Sequence, residues 1–332
     1  MLRVGPIGAA ERPVVEGLPQ GVVSDLAWSA DSARLALVAA GPTAPASLFI
    51  WESGAARPVW RPDPQAEAGI DPETFRPFEL VAWESFDGAR IAGWMARPAG
   101  PEPASGWPAI VWVHGGPASQ TRANFRADMQ MLLAHGYAVL MPNVRGSTGY
   151  GRTFTLSDEH ERRLDSVRDL AAGAAWFAAR PEIDAGRIAV IGQSYGGYMV
   201  NAAVTEHPEL WRAAVSYYGI ADFATLLANT GPWRRAHRSR EYGDPDAHEA
   251  LFARISPVRN IDRARAPLLL LHGRRDPRVP FSESEQMEQA LRERQRVVAF
   301  ETFDYAGHGF IRPDDRRRVY TAVAAFLATH MG

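Results

Sequence analysis

The chain has 332 residues with 36 cationic and 38 acidic side chains, a balance that excludes a global basic field able to draw nucleic acid or anionic membrane. Cysteine is absent and every cation is arginine, which excludes disulfides, thiolate metal sites, a cysteine nucleophile, lysine Schiff-base chemistry and a Ser–Lys dyad. Apolar residues make up 46% and charged residues 22%, a globular composition. No apolar run nears the ~18 residues that span a bilayer, and the first ten residues hold no apolar h-region, so a cytoplasmic location without membrane partner is expected.

At roughly 100–200 residues per domain, the length suggests two domains, or a large one with an appendage. Residues 1–62 read as an all-β appendage. Apolar runs at 25–29, 34–38 and 47–51 are separated by turn clusters at 30–32, 41–45 and 52–54, the spacing of a propeller blade or of a small meander. One blade, or one and a half counting residues 1–18, cannot close a propeller, which takes about four or more. The unpaired edges of such a remnant predict homo-oligomers formed through the N-terminal strands. Residues 63–77, rich in Pro, Asp and Glu, read as a connection.

Residues 78–332 read as one α/β domain. Strands at 79–83 and 90–95 flank a hairpin turn at Phe86-Asp87-Gly88. Next come a strand at 109–113, a helix at 127–135, a strand at 138–141, a helix at 164–180 and a strand at 187–191. A helix at 196–207, strands at 213–217 and 268–271, a helix at 282–292, a strand at 297–302 and a helix at 316–330 complete it. Apolar strands between amphipathic helices imply a mostly parallel, doubly wound sheet. Residues 222–260 interrupt this rhythm as an insertion rich in Arg and His. Its run from Trp233 to Arg240 reads as surface or pocket rim, with polyanion binding as the alternative. Asp158-Glu159-His160-Glu161 reads as a solvated face; no H-E-x-x-H occurs, and neither metal nor cofactor is expected.

Gly192-Gln193-Ser194-Tyr195-Gly196 matches G-x-S-x-G, a weak motif alone. Its context strengthens it: a strand ends at Gly192 and a helix pattern begins after Ser194, as a nucleophile elbow of an α/β-hydrolase requires. A hydroxyl needs a base to become a nucleophile, and in these hydrolases the order along the chain is Ser, acid, His. Asp276 leaves the strand at 268–271, on the edge where such sheets place their sites. His308 lies in Tyr305-Ala306-Gly307-His308-Gly309-Phe310, a Gly-flanked loop after the last strand. Asp276 would hold the His308 tautomer. The oxyanion needs fixed N–H donors. Tyr195 supplies one and the loop His114-Gly115-Gly116-Pro117 another, read against an ordinary Gly-Gly-Pro turn.

With these residues in view, the region from Phe78 onward resembles the prolyl oligopeptidase family of serine peptidases, most of all its acylaminoacyl-peptidase and dipeptidyl-aminopeptidase-like branch. The resemblance rests on His114–Pro117, the run Asn143-Val144-Arg145-Gly146-Ser147-Thr148-Gly149-Tyr150-Gly151, the elbow through Gly197 and Tyr198, Gly273-Arg274-Arg275-Asp276-Pro277-Arg278-Val279-Pro280, and Gly307–Phe310. It implies the triad Ser194, Asp276 and His308, with Tyr195 N–H in the oxyanion hole. Several relatives carry a Tyr hydroxyl donor where His114 stands, so a backbone N–H of Gly115 or Gly116 is expected to substitute. Arg278 matches the arginine that binds the carbonyl preceding the scissile residue; a structural ion pair is the alternative. Ile220 and Phe223, with Val279, fall where the family lines its specificity pocket, implying an apolar preference, against plain core packing. Residues 143–151 look like a brace for the site loops. Family members carry a complete N-terminal propeller; here only residues 2–62 resemble one.

The leading expectation is a serine hydrolase that cleaves peptide or acyl-peptide bonds through an acyl-enzyme. A carboxylesterase on small acyl esters is the alternative, since esters and amides share the tetrahedral intermediate. A non-catalytic binding module stands as the third reading.

Overall fold

The computed structural model describes residues 2–4, 14–244 and 247–332. The chain divides into two compact units, one of Met1–Glu79, Ala96–Ala99 and Arg122–Ala134, the other of Leu80–Met95, Gly100–Thr121 and His135–Gly332. The part of the suggested half-blade at residues 5–13 lies outside the described residues.

The first unit holds an antiparallel sheet of β1 (Val22–Trp28), β2 (Arg34–Gly41), β3 (Ala44–Glu52) and β4 (Ala55–Trp60), in that order. Four antiparallel strands are the content of one propeller blade. Alternation along β2 buries Leu35, Leu37 and Ala39, which form a small core with Phe49, Ala56, Val4 and Val15. Sequence reading finds three of these strands and passes over β4, where Arg57 and Pro58 break the apolar pattern. Proline is tolerated there because β4 is an edge strand. The connection contains α1 (Pro64–Ala68), capped by the Asp63 carboxylate, and one 3-10 turn at Pro72–Thr74. In α2 (Ala127–Ala134), Gln130 pairs with both backbone groups of Arg76, accepting from N–H at 2.8 Å and donating to C=O at 2.9 Å.

The second unit is built on eight strands: β5 (Glu79–Glu84), β6 (Arg90–Ala96), β7 (Trp107–Val113), β8 (Ala138–Asn143), β9 (Ile183–Gln193), β10 (Ala213–Tyr217), β11 (Leu268–Gly273) and β12 (Val298–Phe303). Their order is β12-β11-β10-β9-β7-β8-β6-β5. Every pairing from β8 across to β12 is parallel. Strands β8, β10 and β11 are buried throughout, which explains why they read as continuous apolar runs. The turn joining β5 to β6 closes through Ser85 N–H to Ala89 O at 2.8 Å, with Gly88 at φ 80°.

Short α3 (Arg152–Thr155) precedes α4 (Arg163–Ala178), and α5 (Tyr195–Glu206) follows β9. The insertion after β10 folds into α6 (Phe223–Ala228), α7 (Pro232–Tyr242), α8 (Glu249–Ile255) and a 3-10 stretch at Pro257–Arg263. Helices α9 (Ser282–Glu293) and α10 (Pro313–Met331) follow β11 and β12. Because β7, β9, β11 and β12 run the same way, the loops leaving their C-terminal ends share one edge of the sheet. Those loops carry the residues singled out by sequence. Among the described residues, no helix is long and apolar enough to cross a membrane.

Candidate active site

Ser194 sits between β9 and α5 with φ 60° and ψ −119°, a conformation that non-glycine residues rarely adopt and that costs about 1–3 kcal/mol. The elbow leaves no room for side chains on either flank. A Cβ on Gly192 would stand 2.4 Å from the Gly196 carbonyl oxygen, and one on Gly196 would stand 2.3 Å from that of Val113. The turn is tied to the neighbouring strand by Ser194 N–H donating to Tyr217 O at 2.9 Å. Tyr195 is the first residue of α5, so its N–H lies in the first turn, where amides lack intrahelical partners.

The three residues expected to act together are brought together. His308 Nε2 lies 2.9 Å from Ser194 Oγ, and His308 Nδ1 lies 2.7 Å from Asp276 Oδ2. The other carboxylate oxygen, Oδ1, accepts N–H bonds from Arg278 at 2.7 Å and Val279 at 3.0 Å. Burial pushes the Asp276 carboxyl up, but hydrogen bonds from His272 and His308, the His308 charge and the Val279 amide outweigh it. The group is held well below the usual carboxylate range. It stays ionised, as a group that orients an imidazole must.

Two further contacts escape a sequence reading. His272 is wholly buried, with Nε2 3.4 Å from Asp276 Oδ2 and Nδ1 2.7 Å from Ser284 Oγ. The Tyr218 ring packs 4.6 Å from the His308 ring while its hydroxyl donates to Gln193 Oε1 at 2.7 Å. The only linear hint is position: His272 is in the strand that delivers the acid, and Tyr218 follows the strand beside the elbow.

The loop 114–117 abuts the nucleophile: a Cβ on Gly115 would stand 3.3 Å from Ser194 Cβ. Gly116 lines the same pocket as Ser194. The His114 imidazole is buried, its Nε2 2.9 Å from Ser147 Oγ, which donates to the Val144 carbonyl at 2.6 Å. Residues 143–151 thus hold this loop from below. Asn143 exchanges hydrogen bonds with Thr121, and Arg145 is clamped by Asp169 at 2.7 Å and Asp87 at 3.0 Å.

A cavity of about 150 Å³ opens beside Ser194. Ile220, Arg278 and Val279 line it. Phe223 does not. It is fully buried at the start of α6, against Tyr198 at 4.8 Å and Tyr242 at 4.7 Å. The Asp222 cap turns α6 so that this ring enters the core. The wall is instead supplied by α7, through Arg234, His237, Arg238, Glu241 and Tyr242. The basic run of the insertion is therefore a pocket wall, and Arg238 is buried in it.

The charged run at 158–161 needs correction at Asp158 alone; Glu159 and His160 are half-buried and Glu161 is exposed. Asp158 is 1% exposed and pairs with Arg163, which is 0% exposed. Arg163 Nη1 also donates to the Tyr195 hydroxyl at 2.8 Å, and Nη2 to the Glu241 carbonyl at 3.0 Å. An Asp in a charged run and an Arg five residues on look solvated in sequence; here the Tyr195 hydroxyl accepts from Arg163 and donates to Asp158 at 3.1 Å.

The model of the prolyl oligopeptidase family matches residues 123–332. The chain belongs to that family. Dipeptidyl aminopeptidase BIII of Pseudoxanthomonas mexicana is 32% identical over 230 residues, covering 68% of this chain and 33% of that protein. The acylamino-acid-releasing enzyme of Homo sapiens is 28% identical over 248 residues, covering 72% of this chain and 33% of that one. The solved acylaminoacyl peptidase of Pyrococcus horikoshii matches with a TM-score of 0.86 at 27% identity, over 96% of this chain and 51% of that chain. The chain thus spans about a third of the length of these curated relatives. Its fold is that of the prolyl oligopeptidase family: an α/β-hydrolase sheet with helices, carrying an N-terminal sheet of four antiparallel strands.

Proposed function

We propose that this chain is a serine peptidase that cleaves peptide or acyl-peptide bonds through an acyl-enzyme. The observation that carries the reading is the unbroken hydrogen-bond chain from Ser194 through His308 to an ionised Asp276, on a serine held at φ 60°. Ser194 Oγ attacks the carbonyl carbon while His308 Nε2 takes its proton. Asp276 stabilises the imidazolium that forms. The oxyanion is received by the Tyr195 amide and an amide of Gly115 or Gly116; each such donor is worth about 2.7–4 kcal/mol in the transition state. The amine leaves with the proton from His308. Water, deprotonated by the same imidazole, then releases the acyl group and regenerates Ser194. Arg278, at the cavity wall, would bind a substrate carbonyl through its guanidinium fork.

A fluorophosphonate should label Ser194 in the wild type and fail to label Ser194→Ala. The same substitution should lower turnover by about 10³-fold or more. Matched N-acetyl-aminoacyl-p-nitroanilide and p-nitrophenyl butyrate give the reaction class. An anilide kcat/KM within about tenfold of the ester supports the peptidase, a gap of only ~1.4 kcal/mol. Turnover of the ester alone makes the chain an esterase.

We infer also that residues 78–332 carry the activity and that the N-terminal four-stranded sheet is one propeller blade. Its edge strands β1 and β4 expose Leu26, Trp28, Val59 and Trp60, a surface suited to pairing with a second copy. A monomeric mass in light scattering at working concentration would exclude that pairing.

A further inference from the structure

The pocket beside the nucleophile is rich in arginine. Arg234 and Arg238 from α7 and Arg278 from the loop after β11 line it, with His237, and Glu241 is the one acidic residue among its lining groups. Arg238 is the informative member. It is 7% exposed. Its Nη2 donates to the Arg278 carbonyl at 2.6 Å, while its Nη1 is buried with no hydrogen-bond partner. Among the described residues no carboxylate pairs with Arg238. Asp276, the acid that serves the catalytic histidine, has its oxygens occupied by His308 and by the Arg278 and Val279 amides. A buried guanidinium ordinarily has a carboxylate against it, because leaving the charge unpaired costs several kcal/mol.

We propose that this pocket takes a substrate carboxylate, which pairs with Arg238 and is drawn in by Arg234 and Arg278. The proposal rests on the peptidase reading and specifies its substrate class: peptides with an anionic group next to the scissile bond. Planar guanidinium matches carboxylate in a bidentate fork; Arg238 lines the pocket, and its Nη1, covered and without a hydrogen-bond partner among the described residues, reaches a ligand after a small turn of the side chain. The carboxylate has two chemical sources. It is the side chain of an acidic residue on the acyl side, or the C-terminal carboxylate of the leaving residue. Burial holds the Arg238 guanidinium below its ordinary basicity, with the Arg234 charge adding to the effect and Tyr242, Glu241 and Asp276 opposing it.

Two matched pairs separate the sources. The first is N-acetyl-Ala-Glu-p-nitroanilide against its Gln counterpart; the second is N-acetyl-Ala-Leu-Leu as free acid against its C-terminal amide. The expected result is that the acid member of one pair is favoured by about tenfold or more in kcat/KM, and that this ratio falls toward one in Arg238→Gln. Arg234→Gln should lower the same ratio by a smaller factor, and it serves if Arg238→Gln does not fold. Ratios at or below one in both pairs, with turnover still dependent on Ser194, overturn the proposal and leave the peptidase reading intact. Calorimetric binding of the same four peptides to Ser194→Ala reads the preference without turnover. If the wild type cleaves none of them yet the variant binds an acid form preferentially, the peptidase reading fails and the carboxylate site stands. Equal binding of acid and neutral forms, or none, overturns the site.

Discussion

Two groups of buried arginines in the catalytic unit are treated in opposite ways. Arg145 and Arg163 lie under the site loops, each against carboxylates: Asp169 and Asp87 for the first, Asp158 for the second. Burial alone would lower their basicity, but their acidic neighbours more than reverse it, and both are held above the ordinary guanidinium value. Arg238 is as buried, lines the cavity, and among the described residues has a backbone carbonyl and no carboxylate as its hydrogen-bond partner. The first two are closed circuits that position loops. The third lines the cavity with one amino group left unpaired among the described residues. A buried charge whose partner is built into the chain is architecture; one whose partner is missing points outward, to what binds.

The comparison is broken most severely at Asp158. Asp158→Asn leaves Arg163 buried and uncompensated, and the expected loss is about 3–5 kcal/mol of unfolding free energy in denaturant titration. A loss within ~0.5 kcal/mol would show that Arg163 does not depend on its acid.

Glu241 should produce the next effect. Its burial in the α7 wall pushes its carboxyl up to about 7, against the opposing charge of Arg163. A raised acid favours the protonated folded state, so its contribution is fully present below about pH 4.5 and lost as pH rises through 7. Stability should therefore decline by up to about 3 kcal/mol from this group across that window. Glu241→Gln should flatten that decline, measured as denaturation midpoints from pH 5 to 8. Asp276 has the opposite sign: its contribution is complete above the ordinary carboxylate value and lost only under more acidic conditions.

Arg238→Met sharpens the contrast. It removes a charge with no internal partner, so stability should hold or rise by about 1 kcal/mol, while any preference for anionic substrates disappears. A loss of several kcal/mol would make Arg238 a structural residue like Arg163. The smallest effect belongs to the solvent-facing pair Arg292–Glu288 on α9, at 2.8 Å. Arg292→Ala should cost only ~0.3–0.5 kcal/mol, because water screens such pairs.

How legible these features are follows from how local they are. The elbow, the acid loop and the histidine loop are short contiguous motifs at strand ends, so Ser194, Asp276 and His308 can be named without coordinates. The strands β8, β10 and β11 are visible because burial on both faces leaves them wholly apolar. Phe223 is misread as pocket lining because its distance from the elbow does not reveal which way α6 turns its first ring. Asp158 is misread as solvated because a run of charged residues carries no sign that Arg163 and the Tyr195 hydroxyl will enclose its carboxylate. Strand β4 is missed because an edge strand need not look apolar.

Composition alone determined that no cysteine or lysine chemistry is available, and motif order alone determined which serine, acid and imidazole to examine. Those properties live in residue identity and near-neighbour spacing. The tertiary structure decided which charges are compensated, that α7 walls the cavity, and that His272 and Tyr218 stand against the Asp276–His308 pair. Each depends on groups tens of residues apart meeting at distances of a few ångströms, where burial removes water and makes the presence or absence of one partner decisive.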